Sequence, residues 1–205
     1  LLPAMMVMGV FGGMFWAGIA AFLRTRFNAN EILVTLMLSA IAFQFLYFLL
    51  LGPWKDPMGF NFPQSVMFQT EALFPELFAG GRLNASVFLP LIFTLAVWLF
   101  MVVGGLAPNA ASYAGFSAKG AVWLSLLVAG GAAGLAGMAE VAGPIGQLQR
   151  AVTSGYGYTA IIVAYFGALN PVGIVFAAFF ISVLQIGGDI ALVTADVPIS
   201  AVRVF

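Results

Sequence analysis

Residues 1–23 read LLPAMMVMGVFGGMFWAGIAAFL, without one charged side chain. As a helix this run reaches about 34 Å, enough to cross the roughly 30 Å hydrocarbon core of a bilayer. Four more uncharged runs follow, at 32–54, 83–118, 120–139 and 151–188, of 23, 36, 20 and 38 residues. Repeated runs of this length make the expected fold all-α, a polytopic transmembrane helical bundle. They show no strict apolar–polar alternation, which argues against a β-barrel.

The composition agrees. Of 205 residues, 63% are hydrophobic and 7% charged, with no net charge. The seven basic and seven acidic residues make 14 charges, where an average soluble domain of this size would carry about 50. Apolar surface facing water is costly, so an ordinary globular enzyme, a nucleic-acid binder and a disordered chain are all excluded. The chain has no cysteine and no histidine. Disulfide frameworks, thiol catalysis, Ser-His-Asp triads and the usual zinc sites are therefore excluded as well. No G-x-x-x-x-G-K-[ST] motif is present to hold a nucleotide, and no cofactor is expected. The chain starts at Leu1 and stops at Phe205, each within an apolar run. We read it as a fragment of a longer protein.

The first span is expected at about 2–23, where Gly9, Gly13 and Ala17 put small residues on one face for close helix packing. Arg24-Thr25-Arg26 follows, and the tendency of Lys and Arg to stay inside places this turn in the cytoplasm. The second span, about 30–51, then runs outward, with Asn28 or Asn30 as its cap and Glu31 in its first turn. Residues 52–85 form an extracytoplasmic loop, rich in proline and in aromatics that suit the membrane interface. It reads equally as a plain connector and as a partner-docking surface. The third span is expected at about 86–103 and the fourth at 120–139, with Gly130, Ala133, Gly134 and Gly137 as small residues and Glu140 closing it. Residues 141–157 are glycine-rich and polar. Two apolar segments follow, about 158–169 and 172–186, parted by Asn170-Pro171. The first is too short to span alone, and short or broken helices often mark a transport pathway. Gly187-Gly188-Asp189 is expected to end the second segment, and a last helix to start at Ile190.

No charged residue falls near an expected midplane, as a proton- or ion-coupled pump usually requires. Glu140 and Asp189 sit at expected helix ends, as interfacial charges or as pathway-lining groups. Between the third and fourth spans lies a cytoplasmic loop, 104–119. Within it Pro108 suits a helix start, Ala110 and Ala111 favour helix, and Gly115 suits a C-terminal cap. The result is a compact knob that another protein can grip.

Four stretches together resemble the membrane permease subunits of ATP-binding-cassette importers, of the branched-chain amino acid and ribose type. They look most like the nucleoside and simple-sugar permeases. The stretches are residues 30–38 (NEILVTLML), 52–57 (GPWKDP) with 62–65 (FPQS), 107–117 (APNAASYAGFS) with 133–137 (AGLAG) and Glu140-Val141, and 155–158 (GYGY) running on through 170–174 (NPVGI). They cover nearly the whole chain in the family's order.

The resemblance implies a single permease domain over 1–205, a bundle like that of type II importers, with some spans missing at the start and part of the end. It makes residues 108–115 the coupling helix that seats in a separate ATPase subunit, through Pro108, Asn109, Ala110, Ala111, Tyr113, Ala114 and Gly115. Its partners would be that ATPase, a second permease chain, identical or not, a substrate-binding protein and the lipid bilayer, with no nucleic acid. Its location would be the bacterial cytoplasmic (inner) membrane. The family places a longer basic stretch before the coupling segment than the Trp98–Gly105 run here. Thr35 and residues 140–158 would lie nearer the translocation path. Candidates for lining it are Thr35, Gln44, Glu140, Gln147, Gln149, Thr153, Ser154 and Asn170. For each hydroxyl and amide, local capping or interhelical hydrogen bonding is the competing role. The function expected is import of a small neutral polar solute, a nucleoside or a simple sugar, with no enzymatic step in this chain. A carrier or channel working without an ATPase, and a membrane scaffold using the outer loop, are the alternatives.

Overall fold

The computed structural model describes residues 1–60, 62–77, 84–104, 118–153 and 155–194. The helices are α1 (Leu2–Phe27), α2 (Glu31–Leu51), α3 (Phe88–Gly104), α4 (Ala118–Glu140), α5 (Tyr156–Phe166) and α6 (Pro171–Thr194). No strand occurs among the described residues, only two isolated bridges, Gln64 with Gln149 and Glu76 with Asn84. Four segments are long and apolar enough to cross a membrane: Leu2–Phe27, Glu31–Leu51, Lys119–Ile145 and Pro171–Gly188. At most 11% of the most apolar window of any of them is buried within the chain. Phe11, Phe15, Phe45 and Phe48 stand exposed along α1 and α2, a surface that only lipid or other apolar helices can cover without large cost.

The chain divides into two compact units. Among the described residues the first holds 1–60, 62–77, 84–93 and 118–153, and the second 94–104 and 155–194. In the first unit α1 and α2 form an antiparallel hairpin. Asn28 ends α1 in the left-handed conformation at φ 50°, its N–H returning to the Leu23 carbonyl, and the Asn30 side chain caps α2 by accepting from the Ile32 N–H. Of the two asparagines expected at this turn, Asn30 is the N-cap and Asn28 closes the preceding helix. Arg24 pairs with Glu31 at 3.0 Å across it. The Trp16 Nε1–H donates to the Leu38 carbonyl at 3.2 Å and joins the two helices.

α4 lies antiparallel along α1, and glycine sets the distance between them. A methyl group on Gly13 would collide with the Gly130 carbonyl oxygen, and one on Gly134 with that of Gly9. Ala17 meets Gly130 on the same seam. The small-residue faces read in both spans therefore pack on each other. Gly137 is the exception, with nothing within 4 Å. At the other end the Trp123 Nε1–H donates to Thr25 Oγ1 at 3.1 Å, while that hydroxyl donates to the Ala21 carbonyl at 2.8 Å.

The second unit contains the hairpin of α5 and α6. Ala168 and Leu169 turn the chain in left-handed conformations, at φ 54° and 56°. Asn170 Oδ1 then accepts from the Val172 N–H at 3.0 Å, and Pro171 occupies the first position of α6. α5 has 11 residues, a rise of about 16 Å, well short of a bilayer.

Two boundaries differ from those expected. α6 continues through Gly187, Gly188 and Asp189 to Thr194, without a break and without a separate helix from Ile190. A glycine inside a helix costs about 1 kcal/mol relative to alanine. Breaking the helix in an apolar medium would leave several backbone groups unpaired, at a larger cost. The fourth span does not close at Glu140 either. It widens there into a π-helical turn, Val141–Ile145, that carries Pro144.

Replacing Gly13 with leucine is expected to destabilise the α1–α4 seam by about 1–3 kcal/mol, because backbone has to move to admit the side chain. Gly12, with nothing within 4 Å, is the control, and Gly12→Leu is expected to stay within about 0.5 kcal/mol of the parent. Thermal unfolding of the detergent-solubilised protein, read as loss of its monodisperse peak, checks both.

Candidate functional site

The polar groups of the first unit gather where α4 breaks. Pro144 has no N–H to give the helix and its ring crowds the preceding turn, so the regular ladder cannot continue. The chain takes one π-helical turn and closes at Gly146, whose φ of 71° suits glycine and whose N–H returns to the Val141 carbonyl. That leaves carbonyls around the break, those of Ala142, Gly146 and Leu148 among them, in need of donors from outside the helix.

The loop after α2 supplies them. The Phe74 N–H donates to the Ala142 carbonyl at 2.9 Å, Phe68 N–H to Gly146 at 2.8 Å, and Ser65 N–H to Leu148 at 2.8 Å. In return the Leu148 N–H donates to Ser65 Oγ at 2.9 Å. Ser65 and Asn84 are both buried, and a methyl on Gly143 would stand 3.1 Å from Asn84 Nδ2. The loop is thus strapped across the broken end of α4 through its backbone.

Three glutamines meet beside this strap, two of them through their side-chain amides. Gln64 pairs with Gln149 in an antiparallel bridge, and Gln147 Nε2 donates to Gln64 Oε1 at 3.5 Å. Arg150 follows at once, in a short 3-10 turn, Arg150–Thr153. Its guanidinium carbon lies 5.4 Å from the centre of the Phe43 ring and 5.1 Å from that of Tyr47. These rings sit four apart on one face of α2, about 12 and 6 Å from its end by helix rise. A permanently charged group is therefore held against the side of a span, below its end.

The expected path residues divide between these places. Gln147, Gln149 and half-buried Glu140 lie at the broken end of α4. Thr153 belongs to the turn beside them, and Ser154 lies outside the described residues. Thr35 is on α2 but about 18 Å along it from Tyr47, and its hydroxyl donates to the Glu31 and Ile32 carbonyls. Gln44 is exposed on α2, on a different face from Phe43 and Tyr47. Asn170 is the cap of α6 in the second unit. The coupling segment, Pro108 through Gly115, lies outside the described residues. Arg150 with its two rings, and the bonding of Ser65, were not foreseen. The i, i+4 spacing of Phe43 and Tyr47 and the solitary charge ahead of the last uncharged run were the available signals.

The family model for the branched-chain amino acid transport system / permease component matches residues 1–202. The chain belongs to this family, whose members are membrane permease components of transporters. It is 34% identical over 224 aligned positions to the glucose ABC transporter permease protein TsgB13 of Haloferax volcanii, covering all of this chain and 58% of that protein. It is 31% identical over 207 positions to the nucleoside ABC transporter permease protein NupB of Lactococcus lactis, covering 91% of this chain and 56% of that one. It is 26% identical to the guanosine ABC transporter permease protein NupP of Bacillus subtilis, covering 99% and 62%. The chain thus spans a little over half the length of these relatives. No solved structure matches it.

Removing the Ser65 hydroxyl leaves the Leu148 N–H without its acceptor in a part-buried place. Ser65→Ala is expected to lower stability by about 1–3 kcal/mol, and Ser65→Thr, which keeps the oxygen, to recover most of it. Limited proteolysis within residues 62–77 is the measurement, with faster cleavage expected in the alanine variant alone.

Proposed function

We propose that this chain is part of the permease subunit of an ATP-driven importer that moves a small neutral polar solute, a sugar or a nucleoside, across the bacterial cytoplasmic membrane. Family membership over residues 1–202 carries the reading, together with relatives named for glucose, nucleoside and guanosine transport. The side-chain amides of Gln64 and Gln147 at the broken end of α4 support it further. Uncharged donors and acceptors at an interrupted helix suit a hydroxyl-rich solute, which needs hydrogen bonds and no counter-charge.

In this reading residues 1–205 form one permease domain, 52–85 its outer loop and 104–119 its inner, coupling loop. A substrate-binding protein delivers the solute, and a second permease chain completes the pathway. A separate ATPase subunit hydrolyses the nucleotide and moves residues 108–115, so that access alternates between the two sides. Thr35, Gln44, Glu140, Gln147, Gln149, Thr153, Ser154 and Asn170 remain the path candidates.

Co-purification of the full-length permease with its ATPase subunit tests this. Ala111→Arg, or removal of residues 108–115, is expected to reduce recovery of the ATPase by at least about tenfold, a loss of roughly 1.4 kcal/mol or more in association. Full recovery of the ATPase with both variants would sink the importer reading.

A further inference from the structure

Residues 147–153 follow a broken helix and contain only one short 3-10 turn, Arg150–Thr153. Gly146 stands before them at φ 71° and Gly155 after them at φ 85°, both in the left-handed region. A segment bracketed in this way takes its direction from lateral contacts. Two such contacts fall at different places. Ser65 ties Leu148 through its backbone N–H and its hydroxyl, on the strap that follows the end of α2. Arg150 lies across the rings of Phe43 and Tyr47, on the side of α2, and the turn it begins packs on that helix.

One anchor fixes a point and leaves the segment able to swing about it. A second anchor, about 6 to 12 Å back along α2, fixes the angle as well. That angle matters for the glutamines. Gln147 Nε2 meets Gln64 Oε1 at 3.5 Å, the outer limit of a hydrogen bond, so this bond alone holds the amide loosely. Gln149 pairs with Gln64 through the backbone and directly precedes Arg150. The placement of both side chains therefore follows the backbone of the turn. A guanidinium is suited to fixing that backbone. Its flat face spans two rings four residues apart and resists tilting, whereas a compact ammonium sits over one ring at a time.

We propose that Arg150 is a positioning residue for the solute path. Stacked on Phe43 and Tyr47, it holds the turn at a fixed angle to α2, and it acts through Gln147 and Gln149 rather than by touching the solute. The path role of the two glutamines rests on the importer reading, while the fixing of the angle does not.

The chain contains no cysteine. In the full-length permease, otherwise free of cysteine, Leu33→Cys on exposed α2 surface and Val152→Cys in the turn can carry a pair of nitroxide labels. Leu33 is about 15 and 21 Å along the helix from Phe43 and Tyr47, which suits a pulsed dipolar distance measurement. One narrow distance distribution is expected for the parent. Arg150→Ala, Arg150→Lys and Tyr47→Leu are each expected to widen it about twofold, while Tyr47→Phe, which keeps the ring, leaves it as it was. An unchanged width in Arg150→Ala overturns the proposal. So does rescue by lysine, which would make the charge, and not the stacked plane, the operative feature. The unlabelled transporter, assembled with its ATPase and substrate-binding protein, is then given radiolabelled glucose or guanosine. Uptake is expected to fall about tenfold in Arg150→Ala and Arg150→Lys and to stay parental in Tyr47→Phe, with the amount of assembled complex unchanged. A widened distribution with full uptake overturns the proposal too, since Arg150 would then only hold structure. Absence of uptake by the parent would count against the importer reading alone, and the label distances decide the fixing of the angle either way.

Discussion

Between α1 and α4 two backbones touch because glycine leaves nothing between them. Inside a bilayer the hydrophobic effect no longer drives helices together, since lipid tails are as apolar as leucine. What remains is close van der Waals packing and a few hydrogen bonds, and both need short distances. Gly9, Gly13, Gly130 and Gly134 provide them. The bond from Trp123 to Thr25 at one end of the seam sets the register. Once α4 lies antiparallel on α1, its C-terminal end is carried to the start of α1. The loop after α2 emerges there too, because α2 runs back along α1.

The meeting of that loop with α4 follows from the break. Pro144 and the π-helical turn leave carbonyls that neither the helix nor lipid can satisfy. Residues 65–74 satisfy them with three backbone N–H groups, while Ser65 returns a hydroxyl to the Leu148 N–H. The irregular backbone at this end is thus tolerated because another irregular segment covers it. The interruption of α4 and the extended shape of the loop require each other.

Four spans were legible because a charge-free run of 20 or more residues is rarely anything but a helix meant for lipid, and the glycine seam because its spacing repeats in two of them; the third span expected, about 86–103, is the 17-residue α3, shorter than those four. The caps at Asn30 and Asn170 and the shortness of α5 are local features, which a local reading reaches. The strap is not local. Ser65 and Leu148 are 83 positions apart, and no periodicity in either stretch announces the pairing. The continuation of α6 past Gly187-Gly188 was missed for a different reason. Glycine pairs commonly end helices in water, where the freed carbonyls are solvated, and an apolar medium removes that outlet. At the candidate site, Gln147 and Gln149 stand out in the sequence as path candidates within a glycine-rich, polar stretch, but their neighbours Gln64 and Arg150 come from pairing and packing that only the fold supplies.

Arg150 shows how the pieces of the first unit are joined. A lysine in its place would be a compact, strongly hydrated charge, expensive to hold beside a span. The guanidinium is flat and more weakly hydrated, and it sits over the rings of Phe43 and Tyr47. An aromatic face stabilises such a cation while leaving its in-plane N–H groups able to donate. The contact therefore fastens the turn after the broken helix to α2. Beginning from α2, the chain passes through the loop to the carbonyls of residues 142–148, and from there through Arg150 back to α2. This closed circuit encloses Leu50, Ala72, Val141 and Ala142, all buried. Backbone hydrogen bonds, the Ser65 hydroxyl, the Gln147–Gln64 amide pair and the Arg150 contact with two rings join its parts, and such directional contacts fix the break in a way that apolar packing against lipid cannot.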